Sequence, residues 1–236
     1  MGPVKNELKD LSVNTLMHDG ENGTMFNGVY HELDVVIKFP GQGSTELEAL
    51  QRMRGVPGIL HPLVTGLWHS KTALVFPLAM GDLYGLSGAA QAEGLGAFRS
   101  MCEGIDEIHA RGWLHRDIHP GNVLRVNNEW LLSDFGIARP MGKTSRDGSH
   151  GLLRFASLNQ LKSVKENQED DLYSLVLTLH FALTGKLPWK DLHGVTLFSR
   201  KQEIPPELSP RHRKILRQMG HGGAVSALSI LSILSQ

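Results

Sequence analysis

Residues 115–122 read His115-Arg116-Asp117-Ile118-His119-Pro120-Gly121-Asn122, and residues 134–136 read Asp134-Phe135-Gly136. Between these stretches, residues 123–124 and 130–132 are apolar, which predicts two paired strands joined by a turn over residues 126–129. A hairpin of that length would bring Asp117, Asn122 and Asp134 into the mouth of one pocket. Three oxygen-bearing side chains that converge in this way are what phosphoryl transfer from a magnesium nucleotide requires.

The bulk composition is that of an ordinary soluble globular protein. The chain has 236 residues, of which 41% are apolar and 20% charged, and this length suits one large domain or two small lobes that share a cleft. Lys+Arg and Asp+Glu both number 24, so the net charge does not favour nucleic acid or an anionic membrane as a partner. We expect a monomer that binds no nucleic acid.

The single cysteine, Cys102, excludes an internal disulfide framework and fits the cytoplasm or another reducing intracellular compartment. It lies in an apolar helical pattern, which favours a buried side chain.

The sequence shows no targeting or membrane-spanning segment: residues 1–6 do not begin a signal peptide, and the apolar tract 172–183 is too short to span a bilayer and predicts a buried helix. The apolar residues 224–234 predict a packed helix, with a helix that docks a partner or lies in a membrane interface as the alternative.

The first eighty residues predict a small, mostly β lobe with one helix. A turn cluster at residues 19–23 separates early strands, and residues 34–39 and 72–76 predict further strands. Ser44 is the expected cap of a helix over residues 45–54. Beyond residue 83 the pattern is largely helical, with helices expected over residues 96–111, 169–185 and 210–219.

The order H-R-D, then Asn five residues after the Asp, then D-F-G resembles the catalytic and magnesium-binding loops of the eukaryotic-type protein kinase superfamily. Residues 151–159, which read Gly-Leu-Leu-Arg-Phe-Ala-Ser-Leu-Asn, and residues 170–175 and 185–189 are similar to the casein kinase I group. The resemblance covers about residues 20–220. It implies an α+β, bilobal fold with a nucleotide-binding N-lobe over residues 1–80 and an abbreviated, mostly helical C-lobe over residues 81–236.

The same resemblance implies an ATP- and magnesium-dependent enzyme that transfers the γ-phosphate to Ser or Thr hydroxyls of protein substrates and of itself. Thr144, Ser145 and Ser149 are the candidate sites of autophosphorylation.

The resemblance also implies the catalytic residues. Lys38 would steady the α- and β-phosphates, with Glu46 as its expected ion-pair partner and Glu48 as the alternative. Asp117 would accept or orient the proton of the attacking hydroxyl. Arg116 would hold the loop and is a candidate ligand of a phosphorylated activation segment.

Further residues are assigned to magnesium, to the nucleotide and to support of the catalytic loop. Asn122 and Asp134 would bind magnesium, and Asp171 would brace the catalytic loop from a C-lobe helix. Phe76 and Pro77 match the gatekeeper and hinge, Ala79 would offer its N–H to adenine, and Asp82 would either reach the ribose or stabilise a turn. The other residues expected to contact the nucleotide are Gly23, Gly28, Val29, Val36 and Leu124.

Three positions depart from the family pattern. The glycines ahead of Val29 are shifted or replaced, His119 stands where Ser/Thr kinases carry Lys, and Leu152 replaces a threonine that supports the catalytic Asp. His-Pro-Gly-Asn at residues 119–122 is similar to small-molecule phosphotransferases, which leaves that substrate class open. A pseudokinase that serves as a binding module is a further alternative.

Overall fold

A computed structural model describes residues 6–20, 22–142, 151–162, 166–219 and 225–236. Thr144, Ser145 and Ser149 lie outside these ranges, as do residues 1–5, on which the absence of a signal peptide was argued.

The N-terminal part folds into a five-stranded antiparallel sheet. Its strands are β1 (Leu11–Gly20), β2 (Gly23–Tyr30), β3 (Leu33–Pro40), β4 (Val64–Trp68) and β5 (Lys71–Pro77), in the order β1-β2-β3-β5-β4. The β2–β3 and β4–β5 hairpins close on two-residue turns, His31-Glu32 and His69-Ser70, in which all four residues have positive φ. Paired positive φ values match the right-handed twist of the flanking strands, so these turns fix the register of the sheet.

The helix expected after β3 is present as α1 (Glu46–Arg52). Ser44 accepts a hydrogen bond from the backbone N–H of Glu46 at 3.2 Å, although Thr45 is the residue at the cap position. Leu50 and Met53 are buried against the main core, as their helical spacing predicts.

The rest of the chain is mostly helical. Its helices are α2 (Ser87–Glu93), α3 (Arg99–Ala110), α4 (Leu158–Leu161), α5 (Gln168–Thr184), α6 (Gly194–Arg200), α7 (Pro210–Met219) and α8 (Ala227–Leu234), with short 3-10 turns at Leu95–Phe98 and Pro120–Asn122. Two small sheets lie among them, formed by the strands β6 (Gly81–Asp82), β7 (Trp113–Leu114), β8 (Val123–Val126), β9 (Glu129–Leu132) and β10 (Arg139–Pro140). One sheet has the order β6-β8-β9 and the other pairs β10 with β7. The α+β, bilobal fold is therefore confirmed, whereas the division at residue 80 stays a prediction.

The longest helix, α5, forms the centre of the C-lobe. Its first turn carries a capping box in which Asn167 and Asp170 each accept a backbone N–H hydrogen bond, and its residues are buried on nearly every side. Within the described residues, no helix is both long enough and apolar enough to cross a membrane. Cys102 on α3 is fully buried, as predicted, and burial raises the pKa of its thiol to about 12.

The apolar tail packs as predicted. Helix α8 buries Ala227, Ile230 and Leu231 in the same core as α3 and α5. The carboxylate of Asp106 on α3 accepts hydrogen bonds from the first N–H groups of α8, those of Ala227 at 2.6 Å and Leu228 at 3.1 Å. A side chain from another helix thus satisfies two N–H groups that would otherwise lack acceptors at the helix start.

The hairpin predicted between the two motifs is also present. Strands β8 and β9 pair from Val123↔Leu132 to Val126↔Glu129, and the turn is Asn127-Asn128, with φ values of 48° and 64°. Because Asn tolerates the left-handed region, it suits both central positions of this turn. The hairpin brings the end of the first motif next to the start of the second, where Ser133 N–H donates to the Asn122 carbonyl at 2.8 Å.

Candidate active site

A cleft of about 580 Å³ lies between the N-terminal sheet and the β8–β9 hairpin. Ten of the residues assigned to catalysis, magnesium or the nucleotide line it: Val36, Lys38, Glu46, Phe76, Pro77, Ala79, Asp82, Asn122, Leu124 and Asp134. The topology therefore brings residues from both lobes, separated by up to about a hundred positions in the chain, to one cavity.

Lys38 forms ion pairs with two carboxylates of the cleft, those of Glu46 and Asp134. Its Nζ lies 3.0 Å from Glu46 Oε1, 2.9 Å from Glu46 Oε2 and 2.7 Å from Asp134 Oδ1. Lys38 and Glu46 are buried, with 4% and 1% of their surface exposed. Burial alone would lower the pKa of Lys38, but the two carboxylates outweigh it and raise that pKa, so the ammonium group stays charged.

The predicted choice of Glu46 over Glu48 as the ion-pair partner is confirmed by these distances. Only eight positions separate Lys38 from Glu46, because a five-residue connection after β3 delivers Glu46 to the first turn of α1. The hydroxyl of Thr45, next to it, donates to the carbonyl of Ala138 downstream of the D-F-G motif. These contacts join α1 to the segment that carries Asp134.

The catalytic loop is braced from α5. Asp171, buried to 1% exposure, accepts hydrogen bonds from the backbone N–H of His115 at 2.8 Å and of Arg116 at 2.7 Å, and pairs with His109 at 2.9 Å. Arg116 has a φ of 72°, a strained value for a residue with a side chain. The structural role predicted for Asp171 is confirmed, since its carboxylate holds this strained backbone.

Asp117 is held by three neighbours. Its Oδ2 accepts from Asn122 Nδ2 at 3.0 Å, its Oδ1 accepts from the backbone N–H of Leu152 at 3.2 Å, and His119 Nε2 lies 3.6 Å from Oδ1. Burial favours the neutral acid, but His119, His115 and the Leu152 N–H outweigh it and lower the pKa of Asp117. Asp117 is therefore a carboxylate at neutral pH.

The expectation that Leu152 leaves the catalytic Asp unsupported needs correction. The side chain of Leu152 is 42% exposed and makes no polar contact, yet its backbone N–H donates to the Asp117 carboxylate. Gly151, with a φ of 95°, permits this approach, because a Cβ there would lie 2.8 Å from the Arg116 carbonyl oxygen. A main-chain donor thus takes the place of the missing hydroxyl.

His119 has a defined tautomer in this arrangement. Its Nδ1 accepts a hydrogen bond from the backbone N–H of Gly121 at 3.0 Å. A neutral imidazole that accepts at Nδ1 carries its proton on Nε2, which faces Asp117. With this geometry His119 presents its Nε2–H as a hydrogen-bond donor at the position where Ser/Thr kinases carry Lys.

Asn122 and Asp134 offer oxygen atoms suited to a hard divalent cation. The Asn122 amide nitrogen donates to both the carbonyl and the carboxylate of Asp117, at 2.9 and 3.0 Å, which leaves its Oδ1 as an acceptor. Asp134 Oδ1 accepts from Lys38 and from the backbone N–H of Gly136 at 3.0 Å, and its side chain is 31% exposed. A carboxylate and an amide oxygen form the donor set that Mg²⁺ prefers.

The part of the cleft lined by Phe76, Ala79 and Leu124 is suited to a flat aromatic ring. Phe76 and Leu124 line it from opposite lobes, and the backbone N–H of Ala79 has no backbone acceptor within the described residues. Asp82 lines the cleft and also accepts from the backbone N–H of Gly85 at 2.8 Å, so it stabilises a turn. An apolar slot in which the Ala79 N–H donates to no described backbone acceptor is suited to an adenine ring.

Gly28 and Val29 were expected to contact the nucleotide, and the structure places them away from the cleft. Both lie far along β2, opposite Val13 and Ser12 of β1, and do not line the cleft. Close packing explains why a glycine occupies position 28, since a Cβ there would lie 2.2 Å from both Ile37 Cδ1 and the Ser12 carbonyl oxygen.

The tip of the β1–β2 hairpin lies where Gly20 pairs with Gly23. Gly23 closes this tip and does not itself line the cleft, whereas Met17, His18 and Met25 do, and sequence reasoning missed these three. The signal available in the sequence was the Gly20/Gly23 spacing within the predicted turn cluster.

Comparison with known proteins agrees with this geometry. The family model of the protein kinase domain matches residues 37–226. The chain is 31% identical over 178 residues to a probable casein kinase I homolog of Encephalitozoon cuniculi, an alignment that covers 67% of this chain and 54% of the relative. It is 33% identical over 131 residues to the probable serine/threonine-protein kinase PkwA of Thermomonospora curvata, covering 54% of this chain and 17% of the relative.

The chain thus spans about half the length of the first relative and a smaller part of the second. The matched region contains most of the residues that line the cleft, including Lys38, Asn122 and Asp134, together with Asp117. The chain belongs to the protein kinase family, and within the eukaryotic-type superfamily it is similar to casein kinase I.

Proposed function

We propose that this chain is an ATP- and magnesium-dependent protein kinase that phosphorylates Ser or Thr hydroxyls. One observation carries the proposal: Lys38, Asn122 and Asp134 line a single cleft, and the Asp117 carboxylate accepts a hydrogen bond from Asn122. This set supplies the positioning and charge neutralisation that phosphoryl transfer demands of a protein.

ATP would bind with its adenine in the slot between Phe76 and Leu124, where the Ala79 N–H is a donor. Its α- and β-phosphates would meet the Lys38 ammonium, which Glu46 holds in place at 2.9 Å. The charge that Lys38 keeps while buried makes it an effective partner for phosphate.

The transfer step follows from the geometry around Asp117. The hydroxyl oxygen of the acceptor attacks the γ-phosphorus, the bond from phosphorus to the β–γ bridging oxygen breaks, and the hydroxyl proton passes to the Asp117 carboxylate. Asn122 and Asp134 are the residues that would hold magnesium, which neutralises charge on the phosphates when bound. His119 would donate its Nε2–H to the transferred phosphate.

Protein as the acceptor is supported by the family and by the names of the relatives, one a casein kinase I homolog and the other a serine/threonine-protein kinase. The segment Phe155–Asn159, which follows Asp117's partner Leu152, also resembles enzymes that act on proteins. We further propose that the chain acts as a monomer in a reducing intracellular compartment and phosphorylates itself.

A second candidate, a small-molecule phosphotransferase, rests on the His119-Pro120-Gly121-Asn122 segment and on the donor role of His119. Its acceptor would replace the protein hydroxyl in the same step. A non-catalytic binding module is disfavoured, because all four residues are present, with Lys38 in contact with Asp134 and Asn122 in contact with Asp117.

Incubation with labelled ATP and magnesium separates these functions, using casein, a basic protein and no added acceptor in parallel. Label on protein that is lost in Asp117→Asn and in Lys38→Met supports the kinase. ATP turnover without labelled protein indicates a small acceptor, and nucleotide binding without turnover indicates a binding module. A wild-type chain that neither binds nucleotide nor transfers phosphate contradicts the proposal.

A further inference from the structure

Glu166 is a buried carboxylate that joins two arginines beside the active site. It directly precedes the cap of α5 and is 3% exposed. Arg116 donates to it from Nε at 2.6 Å and from Nη2 at 3.2 Å, and Arg139 donates from Nη2 at 2.5 Å. Both carboxylate oxygens are therefore engaged by guanidinium groups.

The two arginines come from the two segments that carry the chemistry. Arg116 immediately precedes Asp117, and Arg139 lies on β10, five residues after Asp134. A single buried carboxylate thus ties the catalytic loop to the segment that follows the D-F-G motif. Charge-assisted, forked hydrogen bonds of this kind are the strong and directional ones.

Every nitrogen of the Arg116 side chain already donates at least one hydrogen bond, and the forked edge formed by Nε and Nη2 is occupied by Glu166. Its Nε and Nη2 donate to Glu166, and its Nη1 donates to the carbonyl of Ile137 at 3.0 Å. A phosphorylated residue elsewhere in the chain would have to compete with Glu166 for this edge of the guanidinium. Glu166 therefore already occupies the edge of Arg116 that the sequence-based hypothesis assigned to a phosphorylated activation segment.

We infer that Glu166 is a positioning residue that holds Arg116 and Arg139 as a phosphorylated residue would, so that phosphate transfer needs no phosphorylation of the activation segment. The inference rests on the proposed kinase activity and concerns how the same site is regulated. A phosphate acts in such places by bringing negative charge and acceptor oxygens to an arginine cluster. Glu166 brings one negative charge and two acceptor oxygens, and it is part of the folded chain from the start.

Glu166→Gln is the first test, because it keeps the shape of the side chain and removes the charge. The matched control is Glu169→Gln, which removes the same charge three positions along, from a side chain without a described hydrogen bond. We expect Glu166→Gln to lower kcat on the order of 10²-fold, the cost of misplacing a catalytic group by about 1 Å. The KM for ATP should change by less than about twofold, since the nucleotide contacts lie elsewhere.

Glu166→Asp restores the charge on a shorter side chain and should recover part of the lost kcat, whereas Glu169→Gln should match the wild type. This split between kcat and KM, together with partial rescue, is not expected of a residue that only stabilises the fold. Full kcat in a folded Glu166→Gln variant would overturn the inference.

The second test uses the wild-type chain treated with a phosphatase, and a Thr144→Ala, Ser145→Ala, Ser149→Ala triple variant. Both should keep kcat within about twofold of the untreated wild type, because Glu166 already occupies Arg116. Loss of activity in either would overturn the inference, and this arm does not depend on whether a Glu166 variant folds.

Hydrogen exchange gives a readout that needs no activity. Amides of residues 113–122 should exchange faster in Glu166→Gln than in wild type or Glu169→Gln, because the side-chain anchor of Arg116 is lost. Unchanged exchange in a folded Glu166→Gln variant would also count against the inference. A wild-type chain that transfers no phosphate, yet shows this exchange difference, would refute the proposed function while the anchoring role of Glu166 stands.

Discussion

The Asp171 carboxylate accepts a hydrogen bond from the backbone N–H of Arg116 at 2.7 Å, across 55 positions of the chain. Its other oxygen accepts from the His115 N–H at 2.8 Å and pairs with His109 at 2.9 Å. Arg116 has a φ of 72°, and a strained residue of this kind costs about 1–3 kcal/mol that its surroundings must offset. Asp171 therefore connects the central helix of the C-lobe to the shape of the catalytic loop.

Asp171→Asn tests this connection. Asn keeps one acceptor oxygen but loses the charge, so at least one buried N–H group loses its acceptor. We expect the free energy of unfolding to fall by about 2 kcal/mol, within the range for hydrogen bonds to a buried charged group. Urea unfolding measures it, and kcat should fall at temperatures where the variant is folded. Glu169→Gln on the same helix should leave kcat unchanged and lower the free energy of unfolding by less than about 1 kcal/mol, the contribution of a charge in the first turn. An equally stable Asp171→Asn would contradict the bracing role.

The Lys38–Glu46 pair gives a second prediction with a built-in control. Lys38→Met removes the ammonium that would contact the phosphates, and we expect kcat to fall at least ~100-fold. Glu46→Gln should have a smaller effect, about tenfold, because Asp134 still holds Lys38 at 2.7 Å. Glu48→Gln removes the same charge two positions along the helix and should leave kcat unchanged. Equal losses in Glu46→Gln and Glu48→Gln would show that the contact does not matter for transfer.

The residues at the centre of the site were predictable from the sequence, because phosphoryl transfer dictates both their chemistry and their spacing. Asp117, Asn122 and Asp134 lie in short motifs, and the Asn127-Asn128 turn makes the hairpin between them recognisable. Lys38 follows from its place on a β-branched strand. Each of these signals lies within a short stretch of sequence, so it can be recognised without knowledge of the tertiary structure.

Other parts were not predictable, since they depend on pairing over long distances. The register of the β1–β2 hairpin was misjudged for a different reason: the Gly20/Gly23 spacing was present in the turn cluster, but the prediction placed the nucleotide contacts further along β2. Glu166 lies 50 positions from Arg116, and no local pattern links the two. The backbone donor from Leu152 was missed for the same reason, since a residue type says nothing about where its N–H points.

Asp106 yields a prediction about the C-terminal helix. Its carboxylate accepts from the N–H groups of Ala227 and Leu228 and lies at the positive end of the α8 dipole. Asp106→Ala should lower the free energy of unfolding by about 1–2 kcal/mol, the usual cost of losing a helix cap. Thermal unfolding measures it. The control is Glu103→Gln on the same helix. Among the residues that the structure describes, its carboxylate pairs with the exposed Arg99, and the change should be neutral within about 0.5 kcal/mol.

The last prediction concerns two buried histidines that pack α7 against α5. The rings of His180 and His212 are 1% and 3% exposed, with centroids 5.2 Å apart. Burial, reinforced by His180, lowers the pKa of His212 to about 4, and burial lowers that of His180. Between pH 4 and 6.5 the unfolded chain therefore binds more protons at these residues than the folded chain does.

The stability that this pair contributes should be fully present above pH 6.5, the ordinary pKa of histidine. It should be lost as the pH falls towards about 4, the pKa of His212 in the folded chain. We expect His212 to account for about 1–2 kcal/mol of the loss between neutral pH and pH 5. Urea unfolding at both pH values measures the loss, and His212→Gln should reduce it because glutamine does not titrate. His193→Gln removes an exposed histidine and should leave the pH dependence as in the wild type. An identical pH dependence in His212→Gln and wild type would mean that the buried ring is protonated as easily in the folded chain as in water.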